Sequence, residues 1–419
     1  MKGIVQLFKD NKDVHSIVAG IKEGLTEQLI AGLSGSGRSL YLATLYETTK
    51  QPHIIVTYNL LQAQKLYDDL VQLVPEDEVF LYPANELMIA DLNIASPELR
   101  AQRIATLNYL CSATKGIVIV PVAGLRKILP PKDIWQSHLL HWKVDDVIDL
   151  QTLVHTLVEM GYVRSDMVSS PGEFSIRGGI IDIYPLTEVD PIRIELFDDV
   201  IDSIRSFSVH DQRSKDKREE VFIGPASEYI LEDRHYERIV TELEQKLANS
   251  LGRIKDVAVK ERLAVQTQGE IELLRERQIS DQIFKYVSFA YEKPASLLDY
   301  FPENTMICID EISRVIEMIE SLDKEEAEWK TSLLSEGKIV HDVEISHKLP
   351  ELFLKSGRPI LYFSLFLRSV PKVNPQNILN LSCKPMQNFH GQMHVLKTEM
   401  ERWKKAGFTV IFLGEDEKR

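Results

Sequence analysis

No apolar run in the 419 residues reaches the roughly 18 that a membrane span needs, so no membrane-embedded segment is expected. The N-terminal MKGIVQLFKDNKDVH has no long apolar core behind its charges, and no secretory signal is expected. Cysteine is scarce. Cys111, Cys308 and Cys383 stand far apart with no C-x-x-C pair, which argues against a disulfide frame or a zinc site and fits a reducing cytoplasm. Positive charge is short as well: 49 Lys and Arg face 63 Asp and Glu, a net charge of −14. A chain this acidic has no bulk affinity for a phosphate backbone, and no basic patch longer than a few residues offers a local one. Internal repeats and low-complexity tracts are also missing. What remains is an ordinary globular composition, 44% apolar and 27% charged, in a length that suits two to four domains.

The first 127 residues alternate in α/β fashion. Gln28–Leu33 reads as a strand, Arg38–Glu47 as a helix, His53–Tyr58 as a strand, Leu61–Leu73 as a helix, EVFLYP as a strand, Leu99–Leu110 as a helix and Gly116–Val122 as a strand. Strands alternating with helices imply a parallel sheet covered on both faces. ILPPKD (Ile128–Asp133) breaks the pattern. After one helix at Leu150–Met160 the period becomes two, with hairpin signals at Gly178-Gly179 and Asp198-Asp199, as expected of a small antiparallel α+β module. KDKREE (Lys215–Glu220) reads as a solvated linker. Residues 231–282 are charged and helical, with one apolar stripe of Tyr236, Val240, Leu243, Leu247 and Leu251. MICIDE (Met306–Glu311) and PILYFSLFL (Pro359–Leu367) return to buried strands. The terminal WKKAGFTVIFLGEDEKR reads as a helix, a turn at Gly407 and a strand Thr409–Leu413, which would normally lead into a further element. A longer parent chain is therefore expected.

GLSGSGRSL (Gly32–Leu40) fits the phosphate-binding pattern G-x-x-x-x-G-K-[ST] at Gly32, Gly37 and Ser39, but the lysine position holds Arg38. Backbone N–H groups of such a loop, with the helix N-terminus behind it, form an anion nest. The lysine is a compact charge that bridges the β- and γ-phosphates, and a larger planar guanidinium does not replace it where the loop fits closely. Loss of hydrolysis and weakened binding are expected. CIDE supplies the second half of such a site, with Asp310 in the magnesium position and Glu311 in the water-orienting position. Some 270 residues separate the two halves, which implies large insertions into one α/β domain.

In the hairpins, Ile192, Ile194 and Leu196 share one strand face and Arg193, Glu195 and Phe197 the other, while Phe174 and Ile176 oppose Ser175 and Arg177. Phe197 thus stands on a polar face near arginines. That is the composition of an interface hot spot, unless Phe197 packs under the helix Leu150–Met160 or on an adjoining domain. HGQMH (His390–His394) lacks the glutamate of H-E-x-x-H, HLLH (His138–His141) has no third ligand in sight, and no metal site is expected. No catalytic triad pattern is present, and no catalytic residue is assigned.

The glycine loop, TYNLLQAQKLYDDL (Thr57–Leu70), GEFSIRGGIIDIYP (Gly172–Pro185) and IRIELFDDVIDSIRSF (Ile192–Phe207) together resemble the N-terminal, UvrB-like region of the bacterial transcription-repair coupling factors (Mfd). The resemblance covers about residues 1–370, and NFHGQMHVLKTEMERW fits the start of the family's next domain. The excision-repair subunit UvrB is similar over the same region. It keeps the loop lysine, a tyrosine-rich DNA-gripping hairpin and a Ser-Ala-Thr third motif, where this chain has Arg38, LYPANELMIADLNIASPE (Leu81–Glu98) and YFSLFL.

The resemblance implies a degenerate P-loop, RecA-like α/β domain at residues 1–127 and a UvrA-binding α+β module at 128–215. It further implies a helical insertion with return strands at 216–370 and the start of a further α/β domain at 371–419. The family's UvrA contacts fall on Arg177, Arg193 and Phe197, which favours an exposed Phe197. Gly32, Gly37, Arg38, Ser39, Asp310 and Glu311 become the remnant of a nucleotide site. No cofactor is expected in this region; ATP and magnesium serve a motor further along such proteins. RNA polymerase and DNA are partners of those later domains, and a C-terminal domain masks the UvrA surface. A cytoplasmic monomer is expected. The alternative is an active UvrB-like ATPase or helicase subunit of the excision nuclease.

Overall fold

The structure is a computed structural model that describes residues 2–84, 96–278, 283–349, 356–371, 373–381, 383, 389 and 391–411. Its first element of scale is a seven-stranded sheet. The strands are β1 (Glu27–Ala31), β2 (His53–Thr57), β3 (Val79–Leu81) and β4 (Ile117–Pro121) from the start of the chain, and β13 (Met306–Asp310), β14 (Ile360–Ser364) and β15 (Asn377–Asn380) from its far end. The order is β15-β1-β14-β13-β2-β4-β3, and every pairing is parallel. β2, β4, β13 and β14 are buried at every residue. This is why they read as continuous apolar runs rather than alternating ones. The expected insertions into one α/β domain are observed, because β13 and β14 lie in the centre of the sheet between β1 and β2.

Between β4 and β13 the chain builds two further bodies. The first contains β5 (Leu140–Lys143), β6 (Val163–Arg164), β7 (Glu173–Arg177), β8 (Ile180–Ile183), β9 (Ile192–Phe197), β10 (Val200–Phe207), β11 (Ser214–Arg218) and β12 (Glu220–Ile223). Six of these form a sheet in the order β11-β10-β9-β8-β7-β6, antiparallel except for β6 on β7, and β12 pairs with β5. Helix Leu150–Glu159 buries Leu153 and Leu157 against Phe174, Ile181, Ile194 and Ile204 on the sheet's inner face. In the segment Lys215–Glu220, expected as a linker, Lys215–Arg218 belong to β11, Glu219 is a bend and Glu220 begins β12. The side chains of β11 are solvated, but its backbone pairs with β10, and lysines on an edge strand protect it from stray pairing. The boundary expected at residue 215 falls inside this strand.

The second body is helical. Helices Asp233–Arg253 and Val257–Arg275 pack Tyr236, Ile239, Leu243 and Leu247 on Leu263, Ile271 and Leu274, a core separate from that of the parallel sheet. The chain divides into two compact units, residues 1–381 and 382–419, so β15 extends the first unit past residue 370. The second unit contains helix Met393–Lys405, with Phe389 edge-on to Trp403. Thr409–Ile411 are not in a strand, and the rest of the expected strand lies outside the described residues. The YFSLFL strand ends at Ser364, leaving Leu365, Phe366 and Leu367 exposed. No described helix is long and apolar enough to cross a membrane.

Candidate functional site

β1 runs into the glycine loop. Gly32 has φ +88°, and a Cβ there would stand 1.8 Å from the Leu381 carbonyl oxygen, so only glycine fits. Gly35 precedes helix Ser36–Thr49, and Gly37 lies in its first turn. Strand, loop and helix thus follow the order that the phosphate-binding pattern requires. The side chains do something else. Arg38, only 7% exposed, turns inward. Its Nη1 pairs with Asp310 Oδ1, and its Nη2 donates to Glu311 Oε1 at 2.5 Å and to the Leu33 carbonyl at 2.8 Å. Gln62 Nε2 donates to the other Asp310 oxygen at 3.0 Å, and Ser39 Oγ donates to Asp69 Oδ2 at 2.6 Å.

The electrostatics follow from enclosure. Burial pulls the Arg38 pKa down, but the charges of Asp310 and Glu311 outweigh it and hold the guanidinium above its ordinary range. Burial pushes the Asp310 carboxyl up, Arg38 pulls it back and Glu311 raises it again, leaving it above the usual carboxylate range. Glu311 adopts a left-handed backbone with φ +54° at the entrance to helix Ile312–Ser335. A non-glycine residue there stores about 1–3 kcal/mol of strain, which the ion pair helps to offset. Chemically this is a closed cluster. A magnesium ion would compete with Arg38 and Gln62 for Asp310, and a phosphate would compete with two carboxylates for Arg38. The retained residues do not fit a resident nucleotide without rearrangement.

The hairpin module presents a different surface. Two-residue turns at Gly178-Gly179 and Asp198-Asp199 set the register, placing Arg177 opposite Ile180, Asp182 opposite Arg193 and Phe197 opposite Val200. Phe197 is 79% exposed on the outer face, and the packing under helix Leu150–Glu159 goes instead to the inner face. Arg177 stands on the same outer face with half of its side chain in solvent, and its Nη2 bonds Asp182 Oδ2 at 2.9 Å. Arg193 shares that face but is largely enclosed. It donates to Asp182 at 2.7 and 2.9 Å and to the Gln212 carbonyl at 3.1 Å, and its guanidinium lies 4.4 Å from the Phe207 ring centre. Hydrogen bonding to Asp182 raises the Arg193 pKa further. Ser175, opposite Asp182 on the same outer face, is covered there and donates to the Asp166 carbonyl at 3.0 Å.

The structure therefore brings Arg38, Asp310 and Glu311 together, and Arg177, Arg193 and Phe197 onto one face, and it turns Ser39 to Asp69. Reading the sequence missed Gln62, Asp69, Asp182 and Gln212. Strand parity across the Gly178-Gly179 turn does place Asp182 on the outer face, and that was the available signal. Of Leu81–Glu98, the segment standing in place of a DNA-gripping hairpin, residues 85–95 lie outside the described residues, as does His390 of HGQMH. Among the described residues no group of three or more His, Cys, Asp or Glu is placed to hold a metal ion.

Residues 140–229, from β5 to just beyond β12, match the family described as UvrB interaction domain. All 419 residues are 50% identical to 36% of the transcription-repair-coupling factor of Bacillus subtilis (strain 168). A stretch of 398 residues, 94% of the chain, is 38% identical to 34% of the transcription-repair-coupling factor of Staphylococcus aureus (strain MRSA252). The chain spans about a third of the length of these relatives. Along its whole length it is similar to the N-terminal region of transcription-repair-coupling factors, and its hairpin module matches the UvrB interaction domain family.

Proposed function

We propose that this chain is the docking region of a transcription-repair coupling factor, recruiting the excision-repair protein UvrA to stalled RNA polymerase. The observation that carries the reading is Phe197, 79% exposed on the same sheet face as a half-exposed Arg177, within the region that matches the UvrB interaction domain. A large aromatic held in water on a face that also carries guanidinium groups has the composition of a binding hot spot. Arg177 and Phe197 make the contact, and Arg193 supports it from within the sheet. The RecA-like glycine loop is a decayed nucleotide site. Support for this is the engagement of Arg38 with both acids that would otherwise serve magnesium and water. In the parent protein, later domains bind polymerase and drive translocation on DNA with ATP and magnesium. A C-terminal domain masks the docking face until polymerase is engaged. The protein works as a cytoplasmic monomer.

Arg177→Ala and Phe197→Ala are each expected to weaken UvrA binding by about 1–3 kcal/mol without unfolding the chain. Titration calorimetry with purified UvrA checks this, and unchanged affinity in both variants removes the reading. The rival, an active ATPase or helicase subunit, draws on the retained Gly32, Gly37, Ser39, Asp310 and Glu311. Micromolar, magnesium-dependent ATP binding with turnover by this chain would establish it.

A further inference from the structure

Asp182 lies on β8 between the two strands that carry the arginines, and its side chain is 1% exposed. Its Oδ1 accepts from Arg193 Nε at 2.7 Å, and its Oδ2 accepts from Arg193 Nη2 and from Arg177 Nη2, both at 2.9 Å. One carboxylate thus holds two guanidinium groups on neighbouring strands. The two arginines are not equivalent. Arg193, with 14% of its side chain exposed, is held as well by Gln212 and the Phe207 ring, so it belongs to the frame. Arg177 keeps 50% of its side chain in solvent, and among the described residues Asp182 is its one hydrogen-bond partner. A free arginine side chain loses rotamer entropy when a partner immobilises it. Fixing it beforehand removes part of that loss.

We propose that Asp182 is a positioning residue for the docking face, orienting Arg177 so that its exposed donors meet a carboxylate of the partner. The inference rests on the docking reading given above. Arg177, Arg193 and Arg205 around Asp182 and Glu195 leave an excess positive charge on this face, and a planar guanidinium matches a carboxylate through paired hydrogen bonds. Phe197, on the same face, supplies the apolar part of the contact. The group recognised is therefore an Asp or Glu side chain beside an apolar pocket, presented by UvrA.

The test is a double-mutant cycle in the full 419-residue chain, with purified UvrA titrated against wild type, Asp182→Asn, Arg177→Ala and the pair. Asp182→Asn is expected to weaken binding about tenfold in the wild-type background and less than about twofold in the Arg177→Ala background, since it acts through Arg177. An equal loss in both backgrounds, or no loss in the wild-type background, overturns the proposal. Arg177→Lys provides a second reading at a half-exposed position, should Asp182→Asn unfold. It keeps the charge but not the fork, and is expected to bind nearly as weakly as Arg177→Ala. Wild-type affinity for Arg177→Lys would show that charge without orientation suffices, and would overturn the role given to Asp182. Wild-type affinity in both Arg177→Ala and Phe197→Ala is a different failure, one that removes the docking reading itself.

Discussion

A guanidinium enclosed by Asp310, Glu311 and the Leu33 carbonyl cannot be removed without leaving two acids beside one another in a poorly hydrated site. Arg38→Ala is expected to cost about 3–5 kcal/mol, the usual effect of deleting one partner of a buried pair. Urea denaturation followed by circular dichroism measures it as a lower midpoint with an unchanged slope. Much of this site was legible. The glycine spacing, the arginine in place of lysine and the strand ending in two acids are all local patterns. That Arg38 closes on those acids was not, because two intervening bodies separate the two motifs along the chain. The docking face divides in the same way. Strand parity put Arg177, Arg193 and Phe197 on one side of the sheet. It did not tell the pinned arginine from the presented one, since that depends on Gln212 and Phe207 from other segments.

At the scale of elements, the segment after β12 is tied back to the first sheet. Arg103, on helix Pro97–Ser112, grips Glu228 through Nε and Nη2, each at 2.7 Å. Tyr82 donates to the same carboxylate at 3.4 Å, and Lys127 lies 3.6 Å away. Burial works to raise the Glu228 pKa, but the charges of Lys127 and Arg103 win and bring it down to about 2. An unfolded glutamate titrates near 4.5, so the ionised form favours the fold. This stabilisation is complete above pH 4.5 and is lost as pH falls through about 2. Glu228→Gln is expected to lower stability at neutral pH and to flatten the acid limb of a melting-temperature profile over that window. An equally steep acid limb in the variant would exclude Glu228 as its source. Helices Leu60–Leu73 and Asp233–Arg253 were readable from apolar spacing, whereas Ile312–Ser335 and β11 were not read. Edge strands solvated on both sides carry no hydrophobic period, and SKDKR has the composition of a linker.

For the whole molecule, a net charge of −14 opposes association with a polyanion. The chain alone is expected not to retain duplex DNA, damaged or intact, in a gel-shift assay at physiological salt, and tight damage-specific retention would favour the UvrB-like alternative. The fold class was readable from the alternation of strands and helices, but the strand order was not, because no local pattern says that β13 and β14 fill the middle of a sheet begun near the N-terminus. That order sets a timetable for synthesis. β2 leaves the ribosome roughly 250 residues before β13, and at about 5–20 residues per second the sheet waits some 12–50 s for its central strands. During that interval β1 and β2 have no neighbours on their facing edges, while the hairpin module, complete much earlier, can already be folded. The nascent chain is thus most in need of chaperone cover at its oldest part, not its newest.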